Sequence, residues 1–284
     1  MHSNVSGIGI IMKDSLYDQL KQLQIIPDAK SKWQQYRAEV TDFIISESVT
    51  GSLLIVGAGQ CNDIDVDRIA EHFTSVTLFD REFDSAIEDK EHRSNVSYIN
   101  GDILGISDEA YRNLCQEVQG YIAFNMNRFS MEGLADRYIT MLSKLYAEAK
   151  PIIPFDKNEF DNVVVLGVHS QINNMLAWMW DAYESALGQQ DKRVHQYISS
   201  ENTRIIEAFN DKLFDIAKKH IIIGAEQSRA GMSGAVEGAH QCILDVQRRM
   251  NSYSYIDANL AVIDWPFDVD RDIIYQMLIA SISV

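Results

Sequence analysis

The chain has 284 residues, of which 46% are hydrophobic and 23% charged, a globular composition that excludes the disordered and fibrous classes. A formal net charge of −16 disfavours a nucleic-acid partner, because nucleic acid is a polyanion that usually binds a basic face. The chain contains 3 cysteines but no CxxC motif and no Cys/His cluster, so the sequence predicts no disulfide framework and no metal site.

The N-terminal part of the chain predicts helices. A short leucine-rich helix ends before Pro27, and a second helix is expected over 29–48, so residues 1–50 form a helical extension. The apolar patch at 8–12 lacks a basic flank and is too short for a signal peptide or a membrane span. We therefore expect a cytoplasmic protein that does not act at a membrane.

After residue 50 the hydrophobic pattern changes to short, continuous apolar runs. Such runs are typical of parallel strands that are buried on both faces. Helical segments separate them, which gives the strand–helix alternation of a parallel sheet with right-handed crossovers. The predicted strands lie at 53–56, 76–79 and 96–99, and the helices between them at 65–73 and 83–92.

The remainder of the chain alternates longer helices with further strands. Strands are expected at 163–168 and 221–223, and a helix at 235–250. Two final apolar runs, 259–265 and 273–282, have a link too short for a crossover helix, so they must pair antiparallel. We expect one domain over 51–284, with mostly helical cap insertions at about 106–160 and 171–219.

A glycine-rich turn follows the first predicted strand. The run ends in Gly57-Ala58-Gly59, and a helix begins a few residues later. Because glycine has no Cβ, this turn lets the backbone bend sharply and approach a ligand closely. A tight strand–helix turn in any α/β protein would look the same, so the motif alone leaves both interpretations open.

Acidic residues follow the next two predicted strands. Asp80 lies 21 residues after Gly59, where a carboxylate can accept hydrogen bonds from both hydroxyls of a ribose. A solvated acidic turn with Glu82 and Asp84 is the alternative. Gly101-Asp102 follows the third strand at the same sheet edge, where its carboxylate can accept a hydrogen bond from an adenine amino group.

The order of these parts resembles the class I S-adenosylmethionine-dependent methyltransferases. The resemblance covers roughly residues 30–284. It implies an α/β Rossmann-like fold with a seven-stranded, mostly parallel sheet whose C-terminal strand returns antiparallel. It also implies S-adenosyl-L-methionine as cofactor, with the glycine turn at its amino-acid half, the acid after strand two at its ribose and the Gly-Asp pair at its adenine.

The resemblance yields a set of expected cofactor-binding residues. They are drawn from the three loops and, at Tyr36, from the helix that precedes the first strand: Tyr36, Gly57, Ala58, Gly59, Asn62, Asp63, Asp80, Arg81, Gly101, Asp102 and Ile103. Arg37 is an alternative to Tyr36 as a contact to the cofactor carboxylate. Plain helix packing with Trp33 is the other interpretation of Tyr36.

The sequence departs from the family pattern in two places. Ile55 stands where the family often has an acid, and Cys61 where a third glycine is frequent. We expect Asn62 and Asp63 to supply the hydrogen bonds of the missing acid.

A nicotinamide dinucleotide is the main rival ligand. Its fingerprint places a glycine at the position of Asn62, so that strand and helix can pack around a pyrophosphate. Two further alternatives keep the same fold: transfer of the cofactor's aminopropyl or aminobutanoyl arm, and a non-catalytic domain that binds cofactor or a protein partner.

A general base is needed only if the acceptor must lose a proton. His169 follows the fourth strand and is the expected catalytic residue, with simple packing as the alternative. Arg229 is expected either to bind an anionic acceptor or to pair with Glu226 at the surface.

The acceptor is expected to be a small molecule or a peptide. An apolar acceptor pocket and ordinary core packing explain the aromatic and methionine residues Met175, Trp178, Met179 and Trp180 equally well. The sequence leaves a homodimer open.

Overall fold

A computed structural model describes residues 15–23, 25–81, 83, 93–125, 128–230, 236–252 and 257–284. The apolar patch at 8–12, the acidic neighbours Glu82 and Asp84, and all but one residue of the helix predicted at 83–92 lie outside these ranges. The chain divides into two compact units. The helical unit contains the described residues up to Ile25 together with Ile106–Glu148 and Met175–Val194, and the sheet unit contains Ile26–Gly105, Ala149–Asn174 and His195–Val284.

One seven-stranded sheet, in the order β3-β2-β1-β4-β5-β7-β6, forms the sheet unit. Its strands are β1 (Ser52–Val56), β2 (Ser75–Asp80), β3 (Val96–Asn100), β4 (Phe160–Leu166), β5 (Ala217–Arg229), β6 (Ala258–Asp268) and β7 (Ile273–Ser283). The first five are parallel, and β7 runs antiparallel between β5 and β6. The predicted fold class and the antiparallel pairing of the last two strands are confirmed.

The continuous apolar runs are explained by burial on both faces of this sheet. In β1, Leu53 and Ile55 belong to the core on one face, whereas Leu54 and Val56 belong to the core on the other. Burying such side chains stabilises by about 25 cal/mol per Å² of apolar surface. Because the strand needs apolar residues at every position, its sequence does not alternate.

The described helices are α1 (Leu16–Leu23), α2 (Ala29–Lys32), α3 (Gln34–Glu47), α4 (Val66–His72), α5 (Asp108–Phe124), α6 (Met131–Glu148), α7 (Asn174–Leu187), α8 (Lys192–Ile216) and α9 (Ala239–Ser252). Short 3-10 helices occupy His169–Gln171 and Val269–Arg271. Within the described ranges, none of the helices is both long and apolar enough to cross a membrane.

Two predicted elements have different bounds in the structure. The single helix expected over 29–48 is interrupted at Trp33, whose φ of −97° and ψ of 16° are not helical. The Trp33 indole N–H donates to the Phe267 carbonyl at 3.1 Å, a tertiary contact that outweighs local helix propensity. The mostly helical insertion expected up to residue 219 ends its last helix at Ile216, because Ala217 already pairs with Phe160 at the start of a long β5.

The helical unit has an aromatic core of its own. The Tyr138 hydroxyl donates to the Leu176 carbonyl at 3.0 Å, and its ring lies 5.0 Å from that of Trp180. Met179 and Trp180 are completely buried. These residues of α7 therefore pack within their own unit, as the core-packing interpretation of the sequence expects.

Candidate functional site

The glycine turn after β1 adopts a backbone that requires glycine at its first position. Gly57 has a φ of +75°, and a Cβ there would lie 2.2 Å from Cγ2 of Val168. Its N–H donates to the Phe79 carbonyl at 2.8 Å, which ties the turn to β2. Gly57 therefore serves both the left-handed turn and the close packing of the loop after β4.

Gly59 differs from Gly57 because it faces open space. Its φ is +50°, and a Cβ there would meet no described atom within 4 Å. Its N–H donates to Oδ2 of Asp80 at 2.8 Å. The glycine turn and the acid after β2, which the sequence placed at one sheet edge, are thus joined by a charge-assisted hydrogen bond.

The loop after β3 joins the same edge. The Gly101 N–H donates to the Asp80 carbonyl at 2.9 Å, and a Cβ on Gly101 would lie 2.3 Å from a ring atom of Phe79 and 2.6 Å from the Ile152 carbonyl oxygen. Glycine is therefore required here by lack of space. The half-buried Ile103 packs against the apolar core beneath the loop.

Asp102 shapes its own loop. Its Oδ1 accepts the N–H groups of Leu104 and Gly105 at 2.8 and 3.0 Å, and its Oδ2 lies 3.3 Å from Nε of Arg81. This network fixes the carboxylate at the edge of the sheet beside the ends of β2 and β3. Part of its hydrogen-bonding capacity is taken up by protein groups, and Arg81 is the counter-ion.

Cys61 explains one departure from the family pattern. It is buried, its φ is +51°, and its N–H donates to the Ala58 carbonyl at 2.8 Å, which closes the turn. This left-handed backbone is the one that glycine adopts without steric cost. The residue type has changed, but the turn that a third glycine would make is retained. The Asn62 carbonyl accepts from Nη1 of Arg37 at 3.1 Å, so Arg37 braces the loop.

Asp63 brings a second carboxyl group to the glycine loop. Its pKa is raised to about 6, chiefly by burial and also by the charge of Asp80, while Arg37 opposes the rise. The loop thus holds two acidic groups close enough to repel each other. A cation bound between them would relieve that repulsion.

Tyr36 lies on α3 above the same face of the sheet. Its side chain is 2% exposed, and its ring stacks on Trp265 with centroids 5.5 Å apart. Burial raises its pKa well above the usual value, and the charges of Asp63 and Glu226 contribute to that rise. Tyr36 is therefore near enough to feel both the acid of the glycine loop and a second buried acid near the end of β5.

The prediction of a surface ion pair between Glu226 and Arg229 is wrong. Glu226 is 2% exposed, and its Oε1 accepts the Ser170 hydroxyl at 2.7 Å. Burial raises its pKa, and the hydrogen bond from Ser170 opposes the rise. The register shifts between Glu226 and Ser228, and this irregularity in β5 changes the side-chain alternation between Glu226 and Arg229.

The three loops after β1, β2 and β3 thus meet at one edge of a seven-stranded sheet whose β7 is antiparallel between β5 and β6. That combination is the arrangement that the sequence resemblance implied. The chain has the class I methyltransferase fold.

Solved structures with a similar backbone are distant in sequence. An S-adenosylmethionine-dependent methyltransferase from Aquifex aeolicus has 11% identity and a TM-score of 0.43, with coverage of 94% of this chain and 98% of that one. An O-methyltransferase from Bacillus cereus in complex with S-adenosylhomocysteine has 10% identity and a TM-score of 0.38, with coverage of 97% and 94%. A precorrin-6y C5,15-methyltransferase from Geobacter metallireducens has 10% identity and a TM-score of 0.36, with coverage of 87% of each chain. No protein-family model and no curated protein sequence matches the chain.

His169 follows Val168 in the loop after β4, and its side chain is buried. The imidazole is 0% exposed, and its Nε2 lies 2.9 Å from Oδ1 of Asn210. Burial lowers its pKa to about 4, so the ring is neutral at physiological pH. Asn210 in turn donates to Asp245 at 2.8 Å, which makes His169 the end of a buried polar chain. This environment favours the packing interpretation, and the general-base role stays a prediction.

The structure brings together most of the residues expected at the cofactor site. Gly57, Gly59, Asp80, Gly101 and Asp102 meet through direct hydrogen bonds between their loops. Sequence analysis did not predict the burial of Glu226 at the same edge of the sheet. Its only signal was its position at the end of an apolar run that forms a buried strand.

Proposed function

We propose that the chain is an S-adenosylmethionine-dependent methyltransferase that acts on a small-molecule or peptide acceptor. The observation that carries the proposal is the hydrogen bond between the Gly59 N–H and the Asp80 carboxylate, with open space above Gly59. This hydrogen bond places a backbone without a side chain next to a carboxylate of fixed position, which suits a ligand that carries a ribose.

The chemistry of the loops fits this cofactor. S-adenosylmethionine carries a cationic sulfonium and a cationic ammonium group, and the loop supplies the carboxyl groups of Asp63 and Asp80. The two arginines beside the loop have partners, since Arg81 lies against Asp102 and Arg37 donates to the Asn62 carbonyl. This donor set suits a cation better than the pyrophosphate of a dinucleotide.

Each residue has an assigned role in this proposal. Asp80 accepts from the ribose hydroxyls, and Asp102 with its neighbour Ile103 borders the adenine. The backbone at Gly59 contacts the amino-acid half of the cofactor. Asp63 accepts from the ammonium group and so replaces the acid that is missing at Ile55. When bound, the cofactor supplies an activated methyl group, so proximity and alignment account for much of the rate.

The direct test is calorimetric titration of the full chain with S-adenosylhomocysteine. We expect a dissociation constant in the ~1–100 μM range, and a loss of about tenfold or more in Asp80→Ala. The matched control is Asp257→Asn, which removes an exposed charge next to the first residue of β6, at the opposite edge of the sheet. Its affinity should equal that of the wild type. Absence of heat at millimolar ligand would refute the proposal.

A second assay separates the three activities compatible with this fold. The chain is incubated with cell extract and radiolabelled methyl donor, and the products are resolved. Release of S-adenosylhomocysteine with label in an acceptor supports methyl transfer. Release of methylthioadenosine identifies transfer of the amino-acid arm instead, and binding without turnover identifies a cofactor-binding partner domain.

A further inference from the structure

Glu226 has a hydrogen-bonding position that the described protein leaves empty. One carboxyl oxygen, Oε1, accepts from the Ser170 hydroxyl at 2.7 Å. The other, Oε2, is buried and has no hydrogen-bond partner among the residues that the structure describes. Burying a carboxyl oxygen without a partner is costly, so such a group in a native protein calls for an explanation.

The Trp265 ring lies near this carboxyl group, and further aromatic rings pack on Trp265. A Cβ built on Gly167 would lie 3.4 Å from Cζ3 of Trp265 and 3.6 Å from Oε1 of Glu226, so ring and carboxyl flank the same glycine. Tyr36 stacks on Trp265, and the Tyr275 ring lies 6.0 Å from it. The Trp265 indole N–H is also buried without a partner in the described ranges.

Two acids and one arginine act on the tyrosines near Glu226: Asp63 acts with Glu226 on Tyr36, and Arg229 acts with Glu226 on Tyr275. Among the described residues, no lysine, arginine or histidine forms an ion pair with Glu226 within the 4.0 Å limit for such pairs. The second acid, Asp63, acts on the same tyrosine hydroxyl as Glu226 does. A buried carboxylate that has no ion-pair partner and lies beside a cluster of tryptophan and tyrosine rings is an arrangement that can recognise an organic cation.

The position of Glu226 in the fold connects it to the expected acceptor. Gly167 follows β4 and Glu226 lies near the end of β5, at the same edge of the sheet as the glycine loop after β1. Val168 packs directly on Gly57, which joins the two halves of the edge. Ligands bind at this edge in open α/β sheets, so Glu226 lies at the same edge as the proposed cofactor site.

We propose that the acceptor is an amine, whose cationic nitrogen is bound by Glu226 Oε2 and whose carbon frame packs against Trp265 and Tyr36. This inference rests on the proposed methyltransferase function and names the substrate class of the same site. Glu226 is here a specificity residue that holds the ammonium group.

The test uses a panel of primary amines paired with the alcohols of the same shape: butylamine with butanol, benzylamine with benzyl alcohol, phenethylamine with 2-phenylethanol, and tryptamine with tryptophol. A third arm contains 3-phenylpropionate as an anion. Binding to the full chain is measured by calorimetry, with and without saturating S-adenosylhomocysteine. We expect at least one amine to bind about tenfold or more tightly than its alcohol, and the anion not to bind.

Two variants test whether Glu226 causes the preference for amines over alcohols. Glu226→Gln should remove the preference for amines. Glu159→Gln should retain that preference, because Glu159 is an exposed residue immediately before the first residue of β4, at the other edge of the sheet from Glu226. Glu226→Gln should bind S-adenosylhomocysteine within about twofold of wild type. It should also raise the melting temperature of the ligand-free protein by about 2 °C or more, because a buried unpaired carboxyl group has been neutralised.

The outcomes separate this proposal from the one on which it rests. If neither the wild type nor Glu226→Gln binds S-adenosylhomocysteine, but the wild type still prefers amines, the cofactor assignment fails and the amine site stands. If cofactor binding is normal and no amine exceeds its alcohol, the amine proposal is overturned. Tighter binding of the anion overturns it in favour of an anion site at Arg229. A fall in the melting temperature of Glu226→Gln also counts against it, since it would mark Glu226 as a structural residue.

Discussion

Replacing Gly59 by alanine distinguishes two effects: the loss of open space above the glycine loop, which should change affinity, and backbone strain, which should change the free energy of unfolding. The substitution places a methyl group where the structure has no described atom within 4 Å. Its φ of +50° costs an alanine about 1 kcal/mol, so we expect only that modest loss in the free energy of unfolding. If the space is the cofactor cleft, affinity for S-adenosylhomocysteine should fall by about tenfold or more.

Substitutions at two other glycines serve as comparisons for the expected effects on stability and affinity. Gly188 has a φ of +63° and also faces open space, but it lies just beyond α7 in the helical unit. Gly188→Ala should therefore show the same loss of about 1 kcal/mol with unchanged affinity. Gly57→Ala adds a clash at 2.2 Å with Val168 to a φ of +75°, so we expect a loss of about 3 kcal/mol.

The measurements are urea unfolding for the free energy and calorimetry for the affinity. The reasoning predicts that Gly59→Ala resembles Gly188→Ala in stability and differs from it in binding. Wild-type affinity in Gly59→Ala would refute the assignment of the open space to the cofactor. A loss of stability in Gly59→Ala as large as that in Gly57→Ala would refute the claim that the space is open.

Three further predictions concern single residues. The pKa of Asp63 is raised to about 6, so the fraction of ionised Asp63 increases as pH rises through 6. Affinity for S-adenosylhomocysteine, which carries an ammonium group, should therefore increase from pH 5 to 7. Calorimetry should show a flatter pH profile in Asp63→Asn. The pKa of His169 is lowered from 6.5 to about 4, so the free energy of unfolding should fall by up to about 3 kcal/mol as pH falls through that interval. Urea unfolding of His169→Gln should show a smaller fall. Gly101→Ala should lose about 2 kcal/mol in the same assay, because its Cβ would lie 2.3 Å from the Phe79 ring.

Much of the sheet could be predicted because its signals are local. The buried strands carry continuous apolar runs, and the link of a few residues between β6 and β7 permits only an antiparallel pair. The shared edge of the first three strands follows from parallel topology, which is why Gly59 and Asp80 could be placed together before their contact was seen.

The features that sequence did not predict depend on distant partners. The break at Trp33 arises from a hydrogen bond to Phe267, far along the chain. The N-terminal part of β5 pairs with β4 from Ala217 onward, although the sequence there continues a helical pattern. The burial of Glu226 depends on Ser170 and on the register shift that follows it, neither of which leaves a mark in the local pattern.

The central claim is that an adenosyl ligand binds where the loops after β1, β2 and β3 meet. A crystal structure of the full chain with S-adenosylhomocysteine tests it most directly. The account predicts the ribose hydroxyls on the Asp80 carboxylate, the adenine beside Asp102 and the ligand's amino-acid half over Gly59. Ligand bound elsewhere, or this cleft filled by protein atoms while the ligand is bound, would contradict it.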